Sequence, residues 1–198
     1  MQRIFNITLM VLVLLHCYLS SHAQKLHYDV FLFGNKIGET TVERKDSGGV
    51  KHYTLRSYSR AKVLFVDRQS NMAADVLYDH DDNLFFSYFE NIKEDEKILT
   101  QIHKDKEVLH IDKNGEKKNL KEPVKHSSLK LYFNEPKHIE RIFSERMGEY
   151  FDIHQKSEGV YKATLDGLNA TYIYRAGKLM EIEMTKGFIG TVYMKLVH

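Results

Sequence analysis

From residue 27 onward the chain alternates strand-length apolar runs with turn-forming residues, and little else. "HYDVFLF" (27–33) reaches Gly34-Asn35, a pair that tolerates positive φ, and "IGETTVER" follows. "DSGG" (46–49) turns the chain into "VKHYTLRSYS", where Tyr53 and Leu55 fall on one face and His52, Thr54, Arg56 and Tyr58 on the other. That is a period of two, the mark of a strand. "KVLFVD", "MAADVLY", "LFFSYFENI", "KILTQIH" and "EVLHID" continue the pattern, and Asn114-Gly115 gives the strongest hairpin signal. "EYFDIH", "GVYKATLD", "ATYIYRA", "KLMEIEMT" and "TVYMKLV" complete it, with turns at "LDGLN", "RAGK" and "KGFIG". The spacing predicts an all-β fold with one short helix, an antiparallel meander of about ten to thirteen strands.

A meander that long curls or closes, because twisted open sheets rarely stay flat beyond ~10 strands. A half-barrel or open barrel is therefore expected. The early strands carry aromatics on both faces: Tyr28 against Phe31 and Phe33, Phe85 against Phe86, Tyr88 against Phe89. Cover on both sides is expected there. The last strands are one-sided, with Ile182, Met184, Val192, Met194 and Leu196 opposite Glu181, Glu183, Tyr193 and Lys195. Segment 96–120 is charged and reads as exposed hairpins at a sheet edge, where charge discourages association. The apolar filling of the curl is expected to begin with a helix at 127–134. Ser127 or Ser128 would cap it, Leu129, Tyr132 and Phe133 would share a face, and Pro136 would stop it.

The first 23 residues read as a signal peptide. Arg3 precedes the apolar run "IFNITLMVLVLLHCYL", and Ser21 and Ala23 stand at the positions of a cleavage site. Cleavage after Ala23 leaves residues 24–198 as one domain, with no membrane-spanning segment. The sole cysteine, Cys17, leaves with the signal, so no disulfide framework supports the exported chain. Export to the periplasm or beyond is expected. Basic and acidic residues nearly balance, 29 against 27, and no block of like charge appears. Nucleic-acid binding, which needs a concentrated basic surface, is not expected.

No segment carries a catalytic motif. There is no G-x-S-x-G elbow, and Ser127 and Ser128 are explained by capping. "DHDDN" (79–83) lacks the glycine and terminal glutamate of a calcium loop and reads as a plain turn. His103 and His110 would meet across a hairpin, but without a third ligand they read as exposed hairpin histidines, and no metal or cofactor is expected. Asn169-Ala170-Thr171 matches a glycosylation sequon, meaningful only in a eukaryotic secretory route. Glu135, Glu140, Glu145 and Glu149, with Arg141 and Arg146, read as a solvated charged surface. Acid–base work would require one carboxylate to be buried, and Glu145 with Arg146 is the pair on which burial would matter most. Ile139, Ile142, Phe143 and Met147 fit a helical face, but an extended "RIFSE" suits the β surroundings equally well.

The runs "YDVFLFGNKIGETTVER", "YTLRSYSRAKVLFVD", "LYFNEPK", "FSERMGEYF" and "YRAGKLMEIEM…VYMKLV" span nearly all of the mature chain. Through them the chain resembles a family of uncharacterised exported proteins of Bacteroidetes, known as a domain of unknown function. The resemblance implies a secreted or periplasmic β-rich protein in which "RIFSE" is extended. The architecture alone resembles the lipoprotein-carrier half-barrels, without a shared motif, and fold analogy does not establish function.

Two functions follow as expectations. One is non-enzymatic binding of a lipid or other apolar ligand on the curled sheet. Its candidate lining or core residues are Phe31, Phe33, Tyr53, Phe86, Tyr88, Tyr132, Phe133, Phe143, Phe151, Met184 and Met194. The other is a structural module that meets an envelope protein partner through edge strands and the charged hairpins.

Overall fold

The computed structural model describes residues 22–198, apart from 64–65, 95, 166, 187–189 and 198. Most of the expected signal segment, residues 1–21, lies outside the described residues. Among the described residues fourteen strands form one antiparallel sheet. They are β1 (His22–Leu32), β2 (Asn35–Ser47), β3 (Val50–Val63), β4 (Val66–Tyr78), β5 (Leu84–Lys93), β6 (Glu96–Asp105) and β7 (Val108–Lys113). Then come β8 (Glu116–Leu120), β9 (Arg141–Ser144), β10 (Glu149–Ser157), β11 (Val160–Leu165), β12 (Leu168–Arg175), β13 (Lys178–Lys186) and β14 (Thr191–Leu196). The strand count exceeds the expected range. Glu116–Leu120 and Arg141–Ser144 are strands with little apolar pattern of their own; of the expected strand "KVLFVD", 62–63 end β3, 66–67 begin β4, and 64–65 lie outside the described residues.

The first strand lies in the middle of the sheet. One arm meanders from β1 out to β8, and the other returns from β9 to β14, which pairs with β1 through Val30↔Met194. The sheet's two edges are therefore β8 and β9. They share no ladder, but side chains join the two ends. Thr100 Oγ1 donates to the Arg146 carbonyl at 2.7 Å, Lys118 Nζ lies 3.6 Å from the Glu149 carboxylate, and Arg141 lies 3.5 Å from Glu122. The approach is close enough to demand glycine at 148, where φ is +64° and a Cβ would come within 2.5 Å of Ile111 Cγ2. The open sheet thus curls until its ends touch.

Residues 121–140 link β8 to β9 by dipping into the curl. The chain enters at the end that carries the β2–β3 and β4–β5 turns, here called the top. Residues 126–128 run beside β9, with the Ser128 N–H on the Phe143 carbonyl and the Phe143 N–H on the His126 carbonyl, both 2.9 Å. A single 3-10 turn, Leu129–Tyr132, follows. The expected helix at 127–134 is thus four residues long and ends before Pro136. Neither serine caps it, because both hydroxyls are drawn away to Glu145. This linker is the core's centre: Val124, Leu129 and Leu131 are buried against Tyr28, Tyr53, Tyr78, Tyr161 and Tyr174 of the sheet. Edge-to-face contacts knit the aromatics, Tyr28 to Tyr132 at 5.5 Å and Tyr53 to Phe133 at 5.6 Å.

The outer face is uncovered, which corrects the expectation of cover on both sides. Phe33 and Phe86 are 67% and 39% exposed. Phe86 sits on the solvent side of a single-layer sheet, and Phe33 in the β1–β2 turn. The C-terminal strands are one-sided as expected, with Ile182 and Met194 buried and Met184, Val192 and Leu196 packed against the core. β8 is an exposed, charged edge. The 96–120 hairpins are nonetheless not wholly solvent-facing, because Ile102, Leu109 and Ile111 are buried in the core.

Candidate functional site

The interior divides into two ends of different chemistry. Its top is closed by a chain of polar side chains. β9 delivers Glu145 into the core, where it is fully buried. This overturns the reading of Glu145 as part of a solvated surface. Residues 142–145 are consecutively buried because the sheet's interior packs on one side of β9 and the linker on the other. The Glu145 carboxylate accepts from Ser127 Oγ at 2.5 Å, from Ser128 Oγ, and from the Leu129 N–H at 3.3 Å. It therefore supplies the acceptor that a capping serine would have given the 3-10 turn. Tyr78 Oη donates to Ser127 Oγ at 2.5 Å, extending the chain to β4. Arg146, next to Glu145, is half-buried in the β9–β10 turn.

Burial raises the Glu145 pKa above the ordinary carboxyl value, against the hydrogen bonds from Ser127 and Ser128 that favour its ionised form. Burial likewise pushes Tyr78 well above the usual phenol range. Beside them Lys130 Nζ lies 3.6 Å from the centre of the Tyr78 ring. It also bonds Asp82 Oδ1 at 2.8 Å and the Lys125 carbonyl at 2.6 Å. Burial lowers the Lys130 pKa in spite of Asp82. Burial raises Asp82, but hydrogen bonds from Lys130 and Lys51 outweigh it and hold the carboxyl below its usual value. The "DHDDN" segment is the turn expected, with Asp79 accepting from the N–H groups of Asp81 and Asn83, and it also aims Asp82 at the linker.

A serine, a carboxylate, a tyrosine and a lysine converge here, yet the arrangement fastens more than it reacts. Ser127 is fully buried and uses its hydroxyl as donor and acceptor at once. Lys130 spends its protons on Asp82 and the backbone. A cavity of about 320 Å³ opens above this network, lined by Arg44, Lys51, Asp82, Lys130, Glu135 and Lys137 among others. Its charges have partners: Lys51 with Asp82 at 3.0 Å, Lys137 with Glu135 at 3.6 Å, and Arg44 with Asp46, outside the lining, at 3.0 Å.

The bottom of the interior is different. Along each strand the buried residues mark the inward parity; near this end Leu32, Thr40 and Asn91 are buried, while several other inward side chains are only partly covered. These are Met72 and Ile98 on one arm, and Leu165, Tyr172, Met184 and Val192 on the other. Tyr132 reaches the same region from the linker, half-buried. Tyr172 is half-buried, packed against the core, and burial pushes its phenol up to about 12. The β2–β5 wall here is polar. Thr40 and Ser57 share a hydrogen bond of 2.7 Å, and Ser70 donates to buried Asn91 Oδ1 at 3.0 Å.

The sequence candidates separate accordingly. Tyr53, Phe143, Phe151 and Met194 are buried core. Tyr132, Phe133 and Met184 are half-buried and face the interior. Phe31 and Tyr88 are half-buried and Phe86 exposed on the outer face, while Phe33 is exposed in the β1–β2 turn. Among the described residues no group of three or more metal-ligating side chains occurs. Sequence reasoning missed Tyr78, Tyr172 and the joining of Ser127, Ser128 and Glu145. These are long-range contacts with no local signature.

A curled antiparallel sheet filled by its own linker defines a β-barrel-like protein. The chain belongs to a family described as a domain of unknown function, DUF6134, whose model matches residues 28–197. Among solved structures it is similar to the crystal structure of a β-barrel-like protein of domain of unknown function DUF1849 from Brucella abortus. That likeness has a TM-score of 0.54 and 14% identity and covers 87% of this chain and 94% of the other, so it concerns the fold. No curated protein matches.

Proposed function

We propose that this is an exported envelope protein that binds an apolar or lipid-like ligand, without catalysis, at the bottom of its curled sheet. The observation that carries the reading is the set of inward-facing apolar side chains on both arms that remain accessible: Met72, Ile98, Leu165, Met184 and Val192. Binding sites of this kind are concave and mostly apolar, with a few polar groups that orient the ligand. The hydroxyl and amide wall of Thr40, Ser57, Ser70 and Asn91 supplies those groups. Methionine suits such a surface because its unbranched thioether adapts to irregular ligands. The filled and latched top serves as the rigid support. Native mass spectrometry of the protein purified from its own envelope tests the reading. A retained lipid of defined mass is the expected result. Protein that carries none, and that takes up no apolar probe after purification, overturns it.

A further inference from the structure

The β6–β7 hairpin holds a second arrangement that ligand binding does not use. His103 and His110 are direct partners in its ladder. Both point to the outer face, His103 exposed and His110 half-buried, and their rings lie 5.2 Å apart between centroids. His110 Nδ1 meets Asn119 Oδ1 of β8 at 2.8 Å. A carboxamide oxygen only accepts, so Nδ1 carries the proton and Nε2 presents its lone pair outward. That is the support a metal-ligating imidazole ordinarily has, one nitrogen held by an acceptor so that the other can coordinate.

We propose that His103 and His110 form a two-imidazole site for one borderline divalent ion of the zinc or copper class, oriented by Asn119. Two imidazoles that share a tetrahedral ion at Zn–N distances of about 2.0–2.1 Å have centroids about 5 Å apart, the spacing the pair already shows. The rings are inclined by 27°, near parallel, so His103 must turn about its side-chain torsions to aim its nitrogen at the shared ion. Its exposure leaves room for that turn. Water fills the remaining positions, which makes the site exchangeable. Asp112 is two positions from His110 on the same face, with Oδ1 taken by the Gly115 N–H at 2.8 Å, and among the described residues no third His, Cys, Asp or Glu joins the pair in a metal-holding group. The chemistry is therefore set by nitrogen ligands, which favour zinc and copper over magnesium or calcium.

The test is a titration of the full exported chain with Zn²⁺, followed by the ring-nitrogen NMR signals of its histidines. One equivalent is expected to shift the signals of His103 and His110 before those of any other histidine. Magnesium should leave them in place. His103→Gln, at an exposed position, should abolish the saturable step while leaving the melting temperature unchanged. Asn119→Ala should weaken zinc about tenfold or more, as loss of an outer-shell partner does. Zinc that shifts other histidines first, or binds His103→Gln as tightly as the parent chain, overturns the proposal.

Discussion

The two ends of the interior are built from the same sheet but solve opposite problems. At the top the linker brings Val124, Leu129 and Leu131 into the curl, and Glu145, Ser127 and Tyr78 fasten it there. At the bottom only Tyr132 arrives from the linker, and Met72, Ile98, Met184 and Val192 face inward without full cover. The difference shows that one continuous curled sheet can hold a closely packed end and a less fully covered one at once. It also places the structural charge and the adaptable surface at separate ends, so each can be altered alone.

The largest effect should come from the packed end. Phe143 is fully buried between sheet and linker, so Phe143→Ala should cost about 3–5 kcal/mol in urea unfolding. A much smaller loss would mean that the top is not the rigid half. Glu145→Gln probes the latch through pH. Burial raises the folded pKa of Glu145 above its unfolded value, so its contribution is fully present in acid and lost as pH rises through the folded pKa. Relative to the parent chain, the glutamine variant should therefore gain stability as pH climbs from the ordinary carboxyl range toward neutrality. The check is the difference between the two urea midpoints across that range. A difference that stays flat or runs the other way breaks this account of Glu145.

Tyr78→Phe removes one donor from Ser127 and should cost about 1 kcal/mol, a typical net value for one hydrogen bond. At the other end, Met184→Ala should cost less than the ~2–5 kcal/mol usual for a fully buried methionine, because Met184 keeps accessible surface. The thermal midpoint of each variant provides the measurement. Equal losses for Phe143→Ala and Met184→Ala would erase the distinction between the ends.

How much of this was legible follows from the range of each interaction. Strand positions and the one-sided pattern of Ile182 to Leu196 were readable because side-chain alternation is local. The extended form of "RIFSE" also agrees with β9 and the turn after it. The fate of the aromatics was not readable. Alternation says that Phe86 and Phe89 differ in direction from their neighbours, but not which face a single-layer sheet leaves bare. Phe89 is buried and Phe86 exposed for that reason. Glu145 was the least legible. Its partners Ser127 and Ser128 lie 18 and 17 residues away, and Tyr78 is a further 49 from Ser127. Only the curl brings them together, and two adjacent serines before an apolar run look identical to a helix cap.

The central claim is that the bottom of the curl receives an apolar ligand, and a fluorescent fatty-acid probe tests it most directly. Residues 24–198 should bind one probe saturably. Met184→Glu should abolish that binding while Phe86→Glu, on the bare outer face, leaves it unchanged. Absence of saturable binding to the parent chain, or loss with Phe86→Glu but not with Met184→Glu, would contradict it.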